Sequence, residues 1–145
     1  MKGNVLRIRS IPPKSPWRDK DDVMLHACFQ LLVDFVEKEK PQTIVDYKHD
    51  KAQAAQWAEI QALYRYWTVE RKREERAIDR MRAAWYREYR YKSLPDPAGR
   101  TFPTQAVSKN GPRPFTALTR REDAFQALED EMFLRLMEVR KHLWC

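Results

Sequence analysis

The chain contains neither proline nor glycine between Asp50 and Lys92, and this uninterrupted stretch constrains the fold more than any other feature. Both residue types end or weaken helices, so their absence permits one helix across the whole stretch. Five alanines between residues 52 and 62 favour that helix further. A helix over residues 50–92 would be about 60 Å long at about 1.5 Å per residue. It must therefore either project from a small domain or break.

Apolar residues in this stretch return every three or four positions, which is the spacing of a helix with one buried face. The spacing lapses between residues 70 and 76, where charged side chains can form ion pairs along an exposed turn. We therefore expect a break or an exposed turn there. The apolar positions are Trp57, Ile60, Leu63, Tyr64, Trp67, Ile78, Met81, Trp85 and Tyr89.

Two further helices are predicted, one on each side of this stretch. Acidic residues at 19–22 suit a helix N-terminus, and Pro41 stops that helix at about residue 40. The last helix is predicted over Thr119–His142. The fold class is thus predicted to be all-α, a small helical bundle of three main helices with one long central helix. The buried faces comprise Leu25, Cys28, Phe29, Leu32, Phe35 and Val36 in the first helix, beside a polar stripe of His26, Gln30 and Asp34, and Phe125, Leu128, Met132, Leu136, Val139 and Leu143 in the last.

The remaining segments are predicted to be extended or irregular within a single helical domain over residues 1–145. Residues 1–18 are interpreted as an extended arm that Trp17 anchors, and residues 93–118 as a proline-rich loop. Alternating apolar residues at 5–10 and 43–47 predict a minor two-stranded β-ribbon.

Positive charge is concentrated in the middle of the chain. The formal net charge is +7, and residues 65–92 hold 10 basic and 5 acidic residues. Such an excess favours an anionic partner, most often nucleic acid. The alternative is that this stretch is simply the solvated face of a helix.

The nucleic-acid hypothesis names a specific set of side chains. Arginine and lysine bind phosphates, and an exposed aromatic ring can stack on an unpaired base. The candidate residues are Arg71, Lys72, Arg73, Arg76, Arg80, Arg87, Arg90 and Tyr86.

No catalytic set, metal site or cofactor site is predicted. His49 and Asp50, with His26 and Asp79, follow the order of the metal ligands in HD-domain phosphohydrolases, which keeps an HD-like metal phosphohydrolase as a further alternative. His142 and Cys145 lack the partner pair that a structural zinc site needs.

Three segments carry a resemblance to a known group of proteins. They are the helix His26–Glu37, the segment Glu59–Trp67 and the ending Arg140–Trp144. Together they resemble small uncharacterised proteins of tailed bacteriophages. The resemblance implies a protein that acts in the cytoplasm of an infected bacterial host, and it carries no activity or functional residue.

The first functional expectation is a non-enzymatic bacteriophage accessory protein that binds a host or phage protein. The absent catalytic set, the proline-rich loop and the long helix motivate it. A nucleic-acid-binding protein that uses the basic helix 71–92 is the alternative. The longest apolar stretch, Val23–Val36, is too short and too polar to span a bilayer, so no membrane partner is expected. Two cysteines are too few for a disulfide framework.

Overall fold

The computed structural model describes residues 5–15, 17–95, 98, 101–108 and 116–143. The side chains of residues 88–95, 101–108 and 116 lie outside this description. Within it the protein is helical apart from one β-hairpin, and the three long helices predicted from the sequence are confirmed.

Helix α1 spans Lys20–Asp34 and continues as a π-helical turn over Phe35–Glu39. Asp21 and Asp22 lie in its first turn, where carboxylates interact favourably with the helix dipole. The helix ends at Lys40, whose positive φ of 49° turns the chain into Pro41.

The central stretch is helical from Lys51 to Glu88, as the missing prolines and glycines predict. Helix α2 spans Lys51–Arg65, a π-helical segment covers Tyr66–Glu70, and helix α3 spans Arg71–Glu88. The side chain of Asp50 caps α2 by accepting a hydrogen bond from the Ala52 backbone N–H at 3.2 Å. The helix therefore continues without a break through the apolar lapse at residues 70–76, and the change of helical pitch lies just before it.

A two-stranded antiparallel hairpin follows α3. Strand β1 spans Tyr89–Pro95 and strand β2 spans Thr101–Ser108. A bulge falls between Lys92 and Ser93, where Ser93 pairs with Pro103. Proline cannot donate a ladder hydrogen bond, so strand ends and irregular positions such as these are where a strand tolerates it. The hairpin thus lies mostly within the segment that we expected to be a proline-rich loop. Its first strand also takes in residues 89–92, which we expected to be the end of the long basic helix, so that part of the prediction is wrong.

Helix α4 spans Thr116–Val139, and a 3-10 turn over Arg140–His142 follows it. None of the helices among the described residues is long and apolar enough to cross a membrane.

The chain divides into two compact units, where the sequence predicts a single domain. Unit 1 comprises residues 1–71 and 129–145, and unit 2 comprises residues 72–128. The division falls where the apolar spacing lapses, and the charged residues 72, 73, 75 and 76 are exposed and do not extend the buried face of α2.

The core of unit 1 joins α1, α2 and the C-terminal part of α4. Phe29 stacks on Trp67 with ring centroids 4.4 Å apart, and this pair lies at the centre of the predicted apolar faces. The buried core residues are Phe29, Leu32, Val33, Phe35, Ile60, Leu63, Tyr66, Trp67, Leu136 and Val139. In unit 2, Ile78 of α3 and Leu118 of α4 are buried.

Two predictions about the N-terminal half are wrong. Residues 5–8 and 43–47 form no strand; Pro41–Thr43 is instead a 3-10 turn, and its backbone hydrogen bonds keep the following residues folded back on themselves. Trp17 does not anchor the arm, since it is 86% exposed. The N-terminal segment is held by hydrogen bonds to α1, and not by the indole ring of Trp17.

Candidate nucleic-acid interface

The outer face of α3 carries a row of basic side chains. At about 100° of rotation per residue, five of them fall within about 100° of the helix circumference. They span about 22 Å of helix axis at about 1.5 Å per residue. All five are exposed: Lys72, Arg73, Arg76, Arg80 and Arg87. We call this set the basic row.

The opposite side of α3 is the buried side. Ile78 is buried, and it lies about 160° or more around the helix from Arg76 and Arg80. Arg121 of α4 donates two hydrogen bonds to Glu74 of α3, at 2.6 and 3.0 Å. Because α4 packs on this side, the basic row faces away from the packing partner of α3.

Two carboxylates of α3, Glu74 and Asp79, are paired with cations outside the basic row. Glu74 is held by Arg121, and this hydrogen bond lowers the pKa of its carboxyl group. Asp79 pairs with Arg82 at 3.0 Å, and Arg82 also pairs with Glu122 of α4 at 2.7 Å. Glu122 is the main reason that the pKa of Arg82 is raised.

The basic row itself is left without ion pairs. Among the described residues, Lys72, Arg73, Arg76 and Arg80 make no ion pair, and Arg87 makes only a long hydrogen bond of 3.4 Å from Nε to the backbone oxygen of Ala83. The five side chains of the basic row therefore expose their positive charges to solvent on one face of the helix.

Arg71 is a correction to the predicted set. Its side chain is buried, with 7% of the residue exposed, and its Nε donates to Glu129 Oε1 at 2.6 Å. Its guanidinium carbon also lies 4.6 Å from the ring centroid of Trp67. A phosphate could reach Arg71 only after this buried pair had broken, so Arg71 belongs to the core of unit 1.

Arg90 and Tyr86 complete the predicted set. Arg90 lies in β1, and its side chain is outside the described part of the chain. Tyr86 is 54% exposed, and its ring meets that of Trp85 edge-on at 5.1 Å. It lies about 40° of rotation outside the basic row, beyond Lys72.

A cleft of about 410 Å³ borders the basic row within unit 2. Its lining combines acidic, basic and apolar side chains of α3 and α4: Glu75, Ile78, Asp79, Arg82, Glu122, Phe125 and Gln126. With three carboxylates against one arginine, this side of α3 repels phosphate.

The other candidate chemistry is not gathered into a site. His49 is exposed, and Asp50 serves as the cap of α2. Asp79 pairs with Arg82, whereas His26 is buried in unit 1. No three His, Cys, Asp or Glu residues among those described come together as a metal site. His142 lies in the final 3-10 turn, and Cys145 is outside the described residues.

The N-terminal segment packs on the polar stripe of α1. Ser10 Oγ lies 2.7 Å from His26 Nδ1, and the Arg9 backbone N–H donates to Gln30 Oε1 at 3.0 Å. The Arg9 guanidinium donates to Glu37 at 2.8 Å. His26 and Gln30 are buried, so the N-terminal segment covers this stripe. From the sequence alone, a polar stripe of this kind is expected to face solvent.

Comparisons with protein-family models, curated proteins and solved structures found no match to this chain.

The basic stretch was predicted from the sequence, but the prediction did not distinguish its buried arginines from its exposed ones. A rotation of about 100° per residue would have done so, because it places Arg71, seven residues before the buried Ile78, on the same side of the helix. No signal within the stretch shows that Glu74 is bound by Arg121, which lies 47 residues away.

Proposed function

We propose that this protein binds nucleic acid through the basic row of α3. The observation that carries the proposal is the set of exposed cations, Lys72, Arg73, Arg76 and Arg80, which make no ion pair among the described residues. A phosphate backbone that meets such a row releases its condensed counterions, which drives binding.

The distribution of charge supports the same function. Of the 28 Lys and Arg residues, 13 lie in the sequence of unit 2, with 7 of the 21 Asp and Glu residues, so unit 2 carries a formal +6 and unit 1 only +1. A cationic unit attracts a polyanion from a distance and raises the rate of encounter.

A membrane surface fits this unit less well than nucleic acid. Basic amphipathic helices bind lipid by inserting an apolar face beneath the headgroups. Ile78 is buried on the side of α3 where Arg121 of α4 binds Glu74, so among the described side chains of α3 no such apolar face is open. Anionic lipid vesicles are nevertheless a useful second probe.

The phage accessory protein expected from the sequence is a competing proposal. It concerns a host or phage protein as the partner and the cytoplasm of an infected bacterium as the setting. It predicts no salt-dependent binding of nucleic acid, and the same titration therefore separates the two functions.

The test is a fluorescence-anisotropy titration of the full chain with labelled nucleic acids at about 50 and about 200 mM salt. If all five cations of the basic row contact duplex phosphates, the slope of log K against log salt is about −4.5, and affinity falls about 500-fold between the two conditions.

The double variant Arg76→Ala/Arg80→Ala should reduce that slope to about −2.7 and the fall to about 40-fold. Arg82→Ala is the control, and the change in slope is compared per charge removed. It removes one positive charge from the same helix, where the double variant removes two, and that charge belongs to an arginine that already pairs with Asp79 and Glu122. We expect its slope to stay near that of the wild type. Equal effects of both variants, vesicle binding without nucleic-acid binding, or no binding at all would overturn the proposal.

A further inference from the structure

The basic row presents cations without an aromatic ring among them. Ala83 lies between the cations of the basic row, and Ala84 lies at the edge of the row; both residues are exposed. Trp85 lies on the buried side of the helix and Tyr86 lies outside the row, turned edge-on to Trp85. Among the described residues of α3, nothing in this row offers a flat face to a base.

This composition matters because single strands and duplexes present different chemistry. Proteins that bind single strands without sequence preference combine a basic groove with aromatic side chains, and each stacked base contributes about 1–3 kcal/mol. A duplex keeps its bases stacked inside and presents a fixed array of phosphates, about one charge per 1.7 Å of axis.

The spacing of the row suits such a fixed array. Lys72, Arg76 and Arg80 follow one another every four residues, about 6 Å apart along a rigid helix. Over about 22 Å of axis, a duplex carries about a dozen phosphate charges on its two strands, several of which lie on the side that faces the row. A flexible single strand would have to lose conformational freedom to match it and would gain no stacking in return.

The acidic cleft limits the surface on one side. Glu75, Asp79 and Glu122 line the cleft that borders the row. A strand that wrapped around α3 in that direction would meet carboxylates. The favourable path is therefore along the helix axis, which a straight duplex can follow.

We propose, on the basis of the nucleic-acid function proposed above, that the ligand of the basic row is the phosphate backbone of double-stranded nucleic acid. Single strands bind weakly at the same face. The recognition is of backbone charge, which both DNA and RNA duplexes carry.

The test is a competition experiment with the full chain bound to a labelled DNA duplex of about 20 base pairs, a length that exceeds the row several-fold. Unlabelled competitors are the same duplex, either of its single strands, and the corresponding RNA duplex. We expect each duplex to compete at least about tenfold better than a single strand, because the single strand pays an ordering cost without stacking. The DNA and RNA arms show which duplex is the better ligand.

Tyr86→Ala tests the same point from the protein side. We expect it to change the affinity for duplex and single strand by less than about twofold, whereas loss of a stacked base would weaken single-strand binding by about 5-fold or more. Equal or tighter binding of single strands, or a selective loss of single-strand binding in Tyr86→Ala, would overturn the duplex preference while leaving the nucleic-acid function in place. Failure of every nucleic acid to bind would overturn both.

Discussion

Protonation of His26 should couple the stability of unit 1 to pH. The imidazole is 4% exposed, lies 2.7 Å from Ser10 Oγ, and meets the ring of Trp67 edge-on at 4.9 Å. Burial is the main cause that lowers its pKa from 6.5 to about 4, and the nearby charge of Arg71 lowers it further, against the opposing effect of Asp22.

The sign and size of the effect follow from linkage. Between about pH 6.5 and about pH 4 the unfolded chain binds a proton at this histidine and the folded chain does not. The free energy of unfolding therefore falls as the pH is lowered through this window, by about 1 kcal/mol per pH unit and by at most about 3 kcal/mol in total. Above about pH 6.5 the contribution is constant.

The measurement is urea unfolding followed by tryptophan fluorescence at several pH values between about 7 and about 4.5. His26→Gln should lose most of the slope of unfolding free energy against pH. His49→Gln, which removes an exposed imidazole, is the control and should keep the slope of the wild type. A lower absolute stability of His26→Gln leaves this comparison intact, because the slope is what is compared. If His26→Gln and the wild type show the same slope, the buried neutral imidazole is not the origin of the pH dependence.

Three further changes test the stability of unit 1. Arg71→Met should lower the free energy of unfolding by about 3–5 kcal/mol because it leaves Glu129 buried without its cation, whereas Arg71→Met/Glu129→Leu should recover most of the loss; chemical denaturation measures both, and equal losses would contradict the reasoning. Tyr66→Phe should leave stability unchanged or raise it slightly, since the buried hydroxyl of Tyr66 has no hydrogen-bond partner among the described residues; a loss of more than about 1 kcal/mol in the same assay would show that one exists. Lys40→Gly should raise the melting temperature through relief of about 1 kcal/mol of strain at its φ of 49°, and calorimetry that shows a decrease would count against that strain.

The helices were predictable because their signals are local. Acidic residues and Pro41 predicted the two ends of the first helix, and the absence of proline and glycine predicted the uninterrupted run from Lys51 to Glu88. The three-four spacing identified core residues such as Phe29, Ile60 and Leu136. The hairpin was not predictable in the same way. Its prolines suggest a loop, and its pairing depends on a register between distant residues, with Tyr89 opposite Ser108.

The candidate interface was predictable only in outline. The sequence places an excess of arginines between residues 71 and 92, but it does not show which of them are occupied. Arg71 is hydrogen-bonded to Glu129, 58 residues away in the sequence, and Arg82 is hydrogen-bonded to Glu122, 40 residues away in the sequence. Partners at such separations leave no periodic trace in the sequence.

The three helices, their apolar faces and the location of the positive charge thus follow from the amino-acid sequence, since each depends on neighbours within one or two helical turns. Which charges remain open to a ligand depends on how the helices pack. The tertiary structure also decides that the polar stripe of His26 and Gln30 is buried beneath the N-terminal segment. The physical reason is that a charge or a polar group is compensated by whatever side chain the fold brings within hydrogen-bonding distance, and that partner is set by packing and not by sequence spacing.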